Sequence, residues 1–207
     1  MALRIALPAM ERLAREAPRL RCELVEAEPE QALPALALGD VDLALGDEWQ
    51  HQPWRLAPGL ERHALLQDPV MVVLPADHPS ARRHDGAVPL AELAGEAWAT
   101  GHPGMAWEHM TQRTCREHGG FDPDIRHRTN DAIVSLALVA RGLAVALLPG
   151  LALPERDPAL ALRPVAGAPI GRSILAVTRA ADAARPSTRA LVAAVQAASR
   201  AVDPGGA

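Results

Sequence analysis

Apolar and polar residues alternate along the chain in short blocks, and the period of the pattern changes between those of helices and strands. Residues 20–24 (LRCEL) alternate with a period of two, whereas residues 69–74 (PVMVVL) form a continuous apolar run of strand length. The pattern predicts strands over residues 20–24, 41–45, 69–74, 96–100, 125–128, 143–148, 160–162 and 174–177. It predicts helices over residues 2–17, 30–38, 88–93, 105–118, 132–141 and 187–202. Strands that alternate with helices are typical of an α/β protein with mostly parallel sheets and helices on both faces.

Length and composition set the class of protein. The chain has 207 residues, 49% of them hydrophobic, and a net charge of -4. This length allows one large domain or two small lobes. No apolar stretch is long enough to cross a bilayer, and the first residues do not resemble an export signal, so we expect a cytoplasmic protein without a membrane partner. The acidic balance and the lack of a basic stripe argue against DNA binding by this segment.

The candidate reactive residues do not form an established catalytic or metal-binding motif. Cys22 and Cys115 are the only cysteines, and we expect both to be free thiols. Cys115 and His118 could share a helix face, but two ligands do not make a metal site. The sequence has no Gly-x-Ser-x-Gly elbow, phosphate-binding glycine loop or paired-carboxylate motif. We therefore predict no metal, no cofactor and no enzymatic activity.

Three motifs, in a fixed order, carry a resemblance to a known family. The first is LRCEL (20–24) followed by LPAL (33–36) and LGDVDLAL (38–45). The second is VVLPADHP (72–79), and the third is LVARGLAVALLP (138–149). Read together, they resemble the effector-binding domain of LysR-type transcriptional regulators, over nearly the whole chain from about residue 8 to residue 202.

The resemblance implies a two-lobed α/β fold like that of type 2 periplasmic binding proteins, with two crossover strands. One lobe would comprise residues 1–74 and 164–207, and the other residues 75–163. A small-molecule effector would bind between the lobes, where the carboxyl ends of strands meet the amino ends of helices. The family's first strand and its N-terminal winged helix-turn-helix would be missing, so the chain as given would not bind DNA directly.

Several residues are candidates for effector contact, each with a structural alternative. Thr100, Gly101 and His102 open a loop before a helix, where free N–H groups and the helix dipole would favour an anionic effector; the alternative is a plain connecting loop. Thr129 and Asn130 precede the next helix, where capping is their primary expected role. The remaining candidates are Gly46 and Asp47, in what reads as a turn after the strand 41–45, and Pro149, which could instead only terminate a strand.

The resemblance also implies a mechanism and partners. The chain would be the sensor and dimerisation part of a regulator that controls transcription through a DNA-binding domain outside it. The helix 2–17, with Ile5 and Leu13, is a candidate for the surface through which the chain pairs with a second copy or with full-length relatives. The alternative function is a stand-alone solute-binding protein of the same fold, which would normally carry an export signal.

Overall fold

The computed structural model describes residues 1–49, 53–167 and 169–202, and it divides the chain into two compact units. Unit 1 comprises Met1–Asp68 and Ser173–Ala207, and unit 2 comprises Pro69–Arg172. The chain passes from one unit to the other twice, within β2 (Leu60–Pro75) and within β7 (Gly171–Arg179). The functional division into lobes 1–74 with 164–207 and 75–163 stays a prediction.

The helices and strands follow one another in largely the predicted order, but the predicted strand at residues 20–24 is not among them. The α-helices are α1 (Leu7–Glu16), α2 (Pro29–Leu38), α3 (Pro79–Arg83), α4 (Ala106–Thr114), α5 (Ala132–Ala140) and α6 (Pro186–Ala201). The strands other than β2 and β7 are β1 (Ala44–Trp49), β3 (Ala97–Thr100), β4 (Asp124–Arg128), β5 (Val145–Pro149) and β6 (Leu160–Pro164). Single π-helical turns extend α1 backwards over Ala2–Ala6 and α4 forwards over Cys115–Gly119, so the predicted helices 2–17 and 105–118 are confirmed. The predicted helix 88–93 is a 3-10 turn at Leu90–Leu93.

Unit 1 combines strands β1, β7 and β2, in that order, with helices α1, α2 and α6. One core cluster is formed by buried Leu36 of α2, Ala44 of β1, and Leu175 and Val177 of β7. The guanidinium of Arg179, at the end of β7, donates hydrogen bonds to the carbonyl oxygens of Leu36 (2.7 Å) and Val41 (2.5 Å). This contact ties the segment between α2 and β1 to β7, because Leu36 lies in the last turn of α2 and Val41 lies in the segment that follows it.

The amphipathic helix α1 packs on α6. Ile5 and Leu13, which we expected on a surface for self-association, are instead buried within unit 1. The exposed apolar side chains of this segment are Leu3 and Leu7. The helical periodicity identified the apolar face correctly, but that face packs inside unit 1. The assignment of Ile5 and Leu13 to a pairing surface was therefore wrong.

Unit 2 is built on a mixed sheet. The carboxyl-terminal part of β2 pairs antiparallel with β5 on one side and with β6 on the other, while β3 pairs in parallel with β4 and with β5. The expected mostly parallel arrangement is therefore wrong for this unit. The core under α5 contains Val73, Ala99, Ala146, Leu148 and Val139.

The predicted strand at residues 20–24 is wrong. Residues 20–28 have neither helix nor strand, and Leu24 and Val25 are 52% and 72% exposed. A period of two describes only the side-chain pattern, whereas a strand also needs a neighbour that pairs with its backbone. In unit 1 the neighbour of β1 is β7.

The next strand begins later than predicted. β1 runs over Ala44–Trp49, not over residues 41–45, so Gly46 and Asp47 lie within a strand and the expected turn at these residues is wrong. The strand, which pairs with β7, continues through GDE, and the missing side chain of Gly46 leaves room for the indole of Trp54 that covers it.

Candidate functional site

The predicted effector loop joins the end of β3 to the start of α4, within unit 2. Thr100, the last residue of β3, is fully buried, and its hydroxyl lies 2.9 Å from that of Thr111 on α4. The indole of Trp107, also on α4, donates to the carbonyl oxygen of Leu147 on β5 (2.9 Å). The loop is thus attached at both ends to the sheet and to α4, and the Thr100 side chain serves the protein interior.

Asn130 connects this loop with the one that follows β4. Its side-chain oxygen accepts a hydrogen bond from the His102 N–H (3.1 Å), and the Thr129 N–H donates to the Thr100 carbonyl oxygen (2.9 Å). A methyl group added at Gly101 would lie 3.2 Å from Asn130 Oδ1. Five of the predicted site residues therefore meet at one edge of the sheet, because β3 and β4 are parallel neighbours whose carboxyl ends lie together.

The segment 129–131 caps α5, as predicted. The Asp131 carboxylate accepts from the Ile133 N–H (2.8 Å), and the Thr129 hydroxyl oxygen accepts from the Asp131 N–H (3.0 Å). Asp131 is the N-cap residue, which frees the Asn130 side chain to bond to His102. Asn130 and His102 are both exposed, so they offer polar groups at the surface of this edge.

Pro149 lies at the same edge. It is the last residue of β5 and is buried opposite Val70 of β2. Since β5 runs parallel to β3, with Ala146 beside Ala99, Pro149 follows the carboxyl end of the sheet. Its predicted role in strand termination is confirmed, and its contact with an effector stays a prediction.

An ion pair between a buried carboxylate and a partly exposed guanidinium, which the sequence interpretation missed, lies at the loop. The carboxylate of Glu108 on α4 accepts from a guanidinium nitrogen of Arg128 on β4 (2.5 Å) and from the Gly104 N–H (2.7 Å). The Glu108 side chain is 7% exposed and that of Arg128 35%. The hydrogen bond from Arg128, followed by that from Gly104, lowers the pKa of Glu108 below its ordinary value, against the effect of burial.

The expected free N–H groups of the loop are not free. The His102 N–H donates to Asn130, that of Gly104 to Glu108, and that of Met105 to the His102 carbonyl oxygen. The premise on which an anionic effector was predicted is therefore wrong for these three groups. Asn130 could have been suspected from its cap position, but the pairing of Glu108 with Arg128 depends on the register of β3 and β4, which no local pattern shows.

The two candidates in unit 1 are described separately. Gly46 is buried beneath the Trp54 indole, and Asp47 is half-buried beside it in β1. The next residue, Glu48, accepts from the Trp54 N–H (2.7 Å) and from the Arg62 guanidinium (2.5 Å). This part of β1 is thus covered by a Trp side chain and flanked by a partly exposed ion pair.

Cys115 does not have the surroundings of a reactive thiol. Cys115 is fully buried, and its burial, with a smaller contribution from Asp122, raises the pKa of its thiol to about 12. Cys22 is a half-buried free thiol. Within the described ranges, His, Cys, Asp and Glu side chains nowhere gather in threes suited to a metal ion. Nor do those ranges contain a helix long and apolar enough to span a bilayer.

Comparison with known proteins identifies the family. The family profile described as the LysR substrate binding domain matches residues 1–200. The chain belongs to this family. The resemblance that the three sequence motifs carried is therefore confirmed for the LysR substrate-binding domain.

The curated relatives of this LysR substrate-binding domain are regulators. The small neutral protease regulatory protein of Streptomyces coelicolor is 34% identical over 160 residues, which are 76% of this chain and 48% of the relative. The HTH-type transcriptional regulator CatR of Pseudomonas putida is 31% identical over 151 residues, 69% of this chain and 47% of the relative. The chain thus spans about half the length of the curated relatives it matches.

Solved structures establish the fold of this LysR substrate-binding domain. A reduced form of OxyR from N. meningitidis superposes with a TM-score of 0.77 at 23% identity, covering 96% of this chain and 90% of that one. The C-terminal domain of a probable LysR family regulator from Rhodococcus sp. RHA1 gives a TM-score of 0.75 at 27% identity, with 90% and 89% covered. These regulatory domains have the fold of type 2 periplasmic binding proteins, so the predicted fold class is confirmed. The expectation about the family's first strand stays a prediction.

Proposed function

We propose that this chain is the sensor part of a LysR-type transcriptional regulator. It binds a small-molecule effector and couples this binding to the activity of a DNA-binding domain. It acts in the cytoplasm and catalyses no reaction. The membership of residues 1–200 in the LysR substrate-binding domain family is the observation that carries the proposal. The relatives' names describe regulators, none of them an enzyme. No observation favours the alternative of a stand-alone solute-binding protein.

The proposed effector contacts lie at the carboxyl edge of the unit 2 sheet. They comprise Thr100, Gly101, His102, Thr129, Asn130 and Pro149. Gly46 and Asp47 of β1 belong to unit 1 and are proposed as separate contacts. Among them, His102 and Asn130 combine exposure with polar groups, whereas the side chain of Thr100 is bonded within the interior. We therefore assign direct polar contact to His102 and Asn130 and a shaping role to Thr100, Gly101 and Pro149.

The test is a thermal-shift screen of the chain with a library of metabolites, followed by calorimetric titration of each hit. Asn130→Ala should weaken effector binding at least ~10-fold, because it removes a polar contact and the hydrogen bond that holds the loop at His102. Gln31→Ala, at an exposed position of α2, is the control and should leave the affinity unchanged. Equal affinities of the two variants would contradict the assignment of the site.

Self-association is the second part of the proposal. Leu3 and Leu7 are exposed apolar residues at the start of the first helical segment, 75% and 39% exposed, and they support pairing through residues 2–17. Leu7→Glu should convert a dimer to a monomer in sedimentation experiments. Leu38→Glu, which places the same charge on an exposed leucine at the end of α2, should leave the dimer intact. A wild-type chain that sediments only as a monomer would contradict the proposed self-association.

Sensing by the Cys115 thiol is not favoured, although the chain is also similar to hydrogen peroxide-inducible genes activators. One of these, from Escherichia coli O157:H7, is 31% identical over 140 residues. The thiol of Cys115 has its pKa raised to about 12, so it contains very little of the thiolate that reacts with peroxide. The proposal therefore concerns reversible binding of an effector.

A further inference from the structure

Glu108 is a charged residue at the candidate site, and the proposed sensor function gives it no role. It stands at the third position of α4, where the free N–H groups and the dipole of a helix attract an anion. Its carboxylate is nearly excluded from solvent, at 7% exposure. A buried carboxylate is costly unless it is paired and hydrogen-bonded, and here both conditions are met.

The partners of Glu108 are the groups that would otherwise hold a carboxylate ligand. One oxygen accepts from the Arg128 guanidinium (2.5 Å), and the other accepts from the Gly104 N–H (2.7 Å). The Gln112 amide donates a longer bond of 3.4 Å to the first oxygen. An arginine together with a backbone N–H next to a helix start is a common arrangement for binding carboxylates in proteins.

The second helix that starts at this edge is satisfied in the same way. The Asp131 carboxylate accepts from the Ile133 N–H at the start of α5, and Asn130 takes the His102 N–H with its own side-chain oxygen. The N–H groups of His102 and Gly104 and one guanidinium nitrogen of Arg128 are therefore already bonded to acceptors of the protein itself. An anionic ligand would have to compete with two carboxylates that are already in place.

We propose that Glu108 is a specificity-determining residue: its carboxylate occupies the anion-binding position between Arg128 and Gly104, so that the effector bound at this loop carries no negative charge there. The inference rests on the proposed sensor function and narrows its ligand to a molecule whose part at this loop is uncharged or cationic. The same two bonds make Glu108 a positioning residue, since they fix the loop that carries His102.

The experiment uses the whole chain and acetate as the probe, and needs no knowledge of the effector. Sodium acetate is titrated at pH 7 against sodium chloride of equal ionic strength, and the backbone amide signal of Gly104 is followed by NMR. Glu108→Ala leaves the Arg128 guanidinium and the Gly104 N–H without their carboxylate, so acetate should shift this signal saturably, with an affinity at least ~10-fold above that of the wild type. Glu117→Ala, which removes an exposed carboxylate of the following turn, is the control and should behave as the wild type.

Two results would overturn the proposal: a wild-type chain whose Gly104 amide responds to acetate as strongly as that of the variant, or a Glu108→Ala variant that does not respond. If Glu108→Ala fails to fold, Glu108→Gln serves instead, because it retains the shape of the side chain. In the wild type the Gly104 amide shift should change as acid protonates Glu108, and in Glu108→Gln that change should vanish. Its persistence in Glu108→Gln would also overturn the proposal.

Failure of this inference and failure of the sensor function are distinguishable. A carboxylate metabolite that binds the wild-type chain and shifts the Gly104 amide would refute the role of Glu108 while supporting the sensor function. A chain that binds no metabolite would count against the sensor function. The acetate titration of Glu108→Ala would still decide independently whether Glu108 occupies an anion-binding position.

Discussion

Gly46 is the position where a single methyl group should disturb the fold most clearly. A methyl group there would lie 2.0 Å from Cη2 and 2.4 Å from Cζ2 of the Trp54 indole. Carbon atoms pack at roughly 3.5–4.0 Å, so in Gly46→Ala the ring has to move by roughly 1.5 Å or more. The indole packs against the core cluster of Leu36, Ala44, Leu175 and Val177, and this packing is what the movement would disturb.

The size of the effect follows from two opposing contributions. Forcing a group into a packed site costs about 1–3 kcal/mol, and uncovering roughly 40 Å² of the indole adds about 1 kcal/mol at 25 cal/mol per Å². Replacement of glycine by alanine restricts the unfolded chain and returns about 0.5 kcal/mol. We expect Gly46→Ala to lower the free energy of unfolding by about 2 kcal/mol, which corresponds to a fall in Tm of ~6 °C for a chain of this length.

The assay is urea and thermal unfolding followed by circular dichroism, with Gly95→Ala as the control. Gly95 has open space where its methyl group would stand, so its substitution should change stability by less than ~0.5 kcal/mol. If the clash is the cause, Gly46→Ala should be almost neutral when introduced into Trp54→Ala. A full penalty in that background, or a Gly46→Ala variant as stable as Gly95→Ala, would refute the reasoning.

Three further predictions concern buried or paired side chains. The hydrogen bond from Arg83, with smaller contributions from His84 and Ser80, lowers the pKa of Glu92 to about 2. The ionised Glu92 should therefore stabilise the fold fully above pH ~4.5, and this stabilisation should disappear as the pH falls towards 2. In acid unfolding curves the effect should be absent from Glu92→Gln. In a Cys22→Ser chain, Cys115 should not react with Ellman's reagent when folded but should react in guanidinium; rapid labelling of this folded variant would contradict the burial of Cys115. Ser135→Ala should be neutral or stabilising, since the buried hydroxyl of Ser135 has no hydrogen-bond partner among the described residues. Ser80→Ala removes a hydrogen bond to Glu92 and should destabilise the fold. Equal losses of stability in the two variants would disprove this distinction.

The sequence was sufficient where the pattern itself determines the structure. β3, β4 and β5 lie within two residues of their predicted ranges, and the cap at residues 129–131 opens α5 as expected. In each case an apolar run or a cap residue is bounded by a local stop. The three family motifs added the fold class, because they span β1, β2, and the α5–β5 connection.

The failures have a common physical cause: each depended on a neighbour that is distant in sequence. Residues 20–24 alternate correctly but have no strand beside them. Gly46 looks like a turn residue, yet it lies within β1, which pairs with β7 from the far end of the chain. Glu108 looks like an ordinary acidic residue in the first turn of a helix, and only the parallel register of β3 with β4 brings Arg128 to it. Local patterns do not contain such pairings.

The hydrogen bonds of the candidate site also limit how it can respond to a ligand. The loop is held by Asn130 and Glu108 before any ligand arrives, so little ordering cost remains to be met on binding. By the same reasoning, an effector can gain binding free energy only from groups that are exposed at this loop, chiefly the imidazole of His102 and the amide of Asn130. A ligand changes a conformational equilibrium only by the difference in its affinity for the two states. On the proposed assignment of the site, the signal would come from an arrangement of His102 and Asn130 that differs between two states, and not from ordering of the loop that carries them.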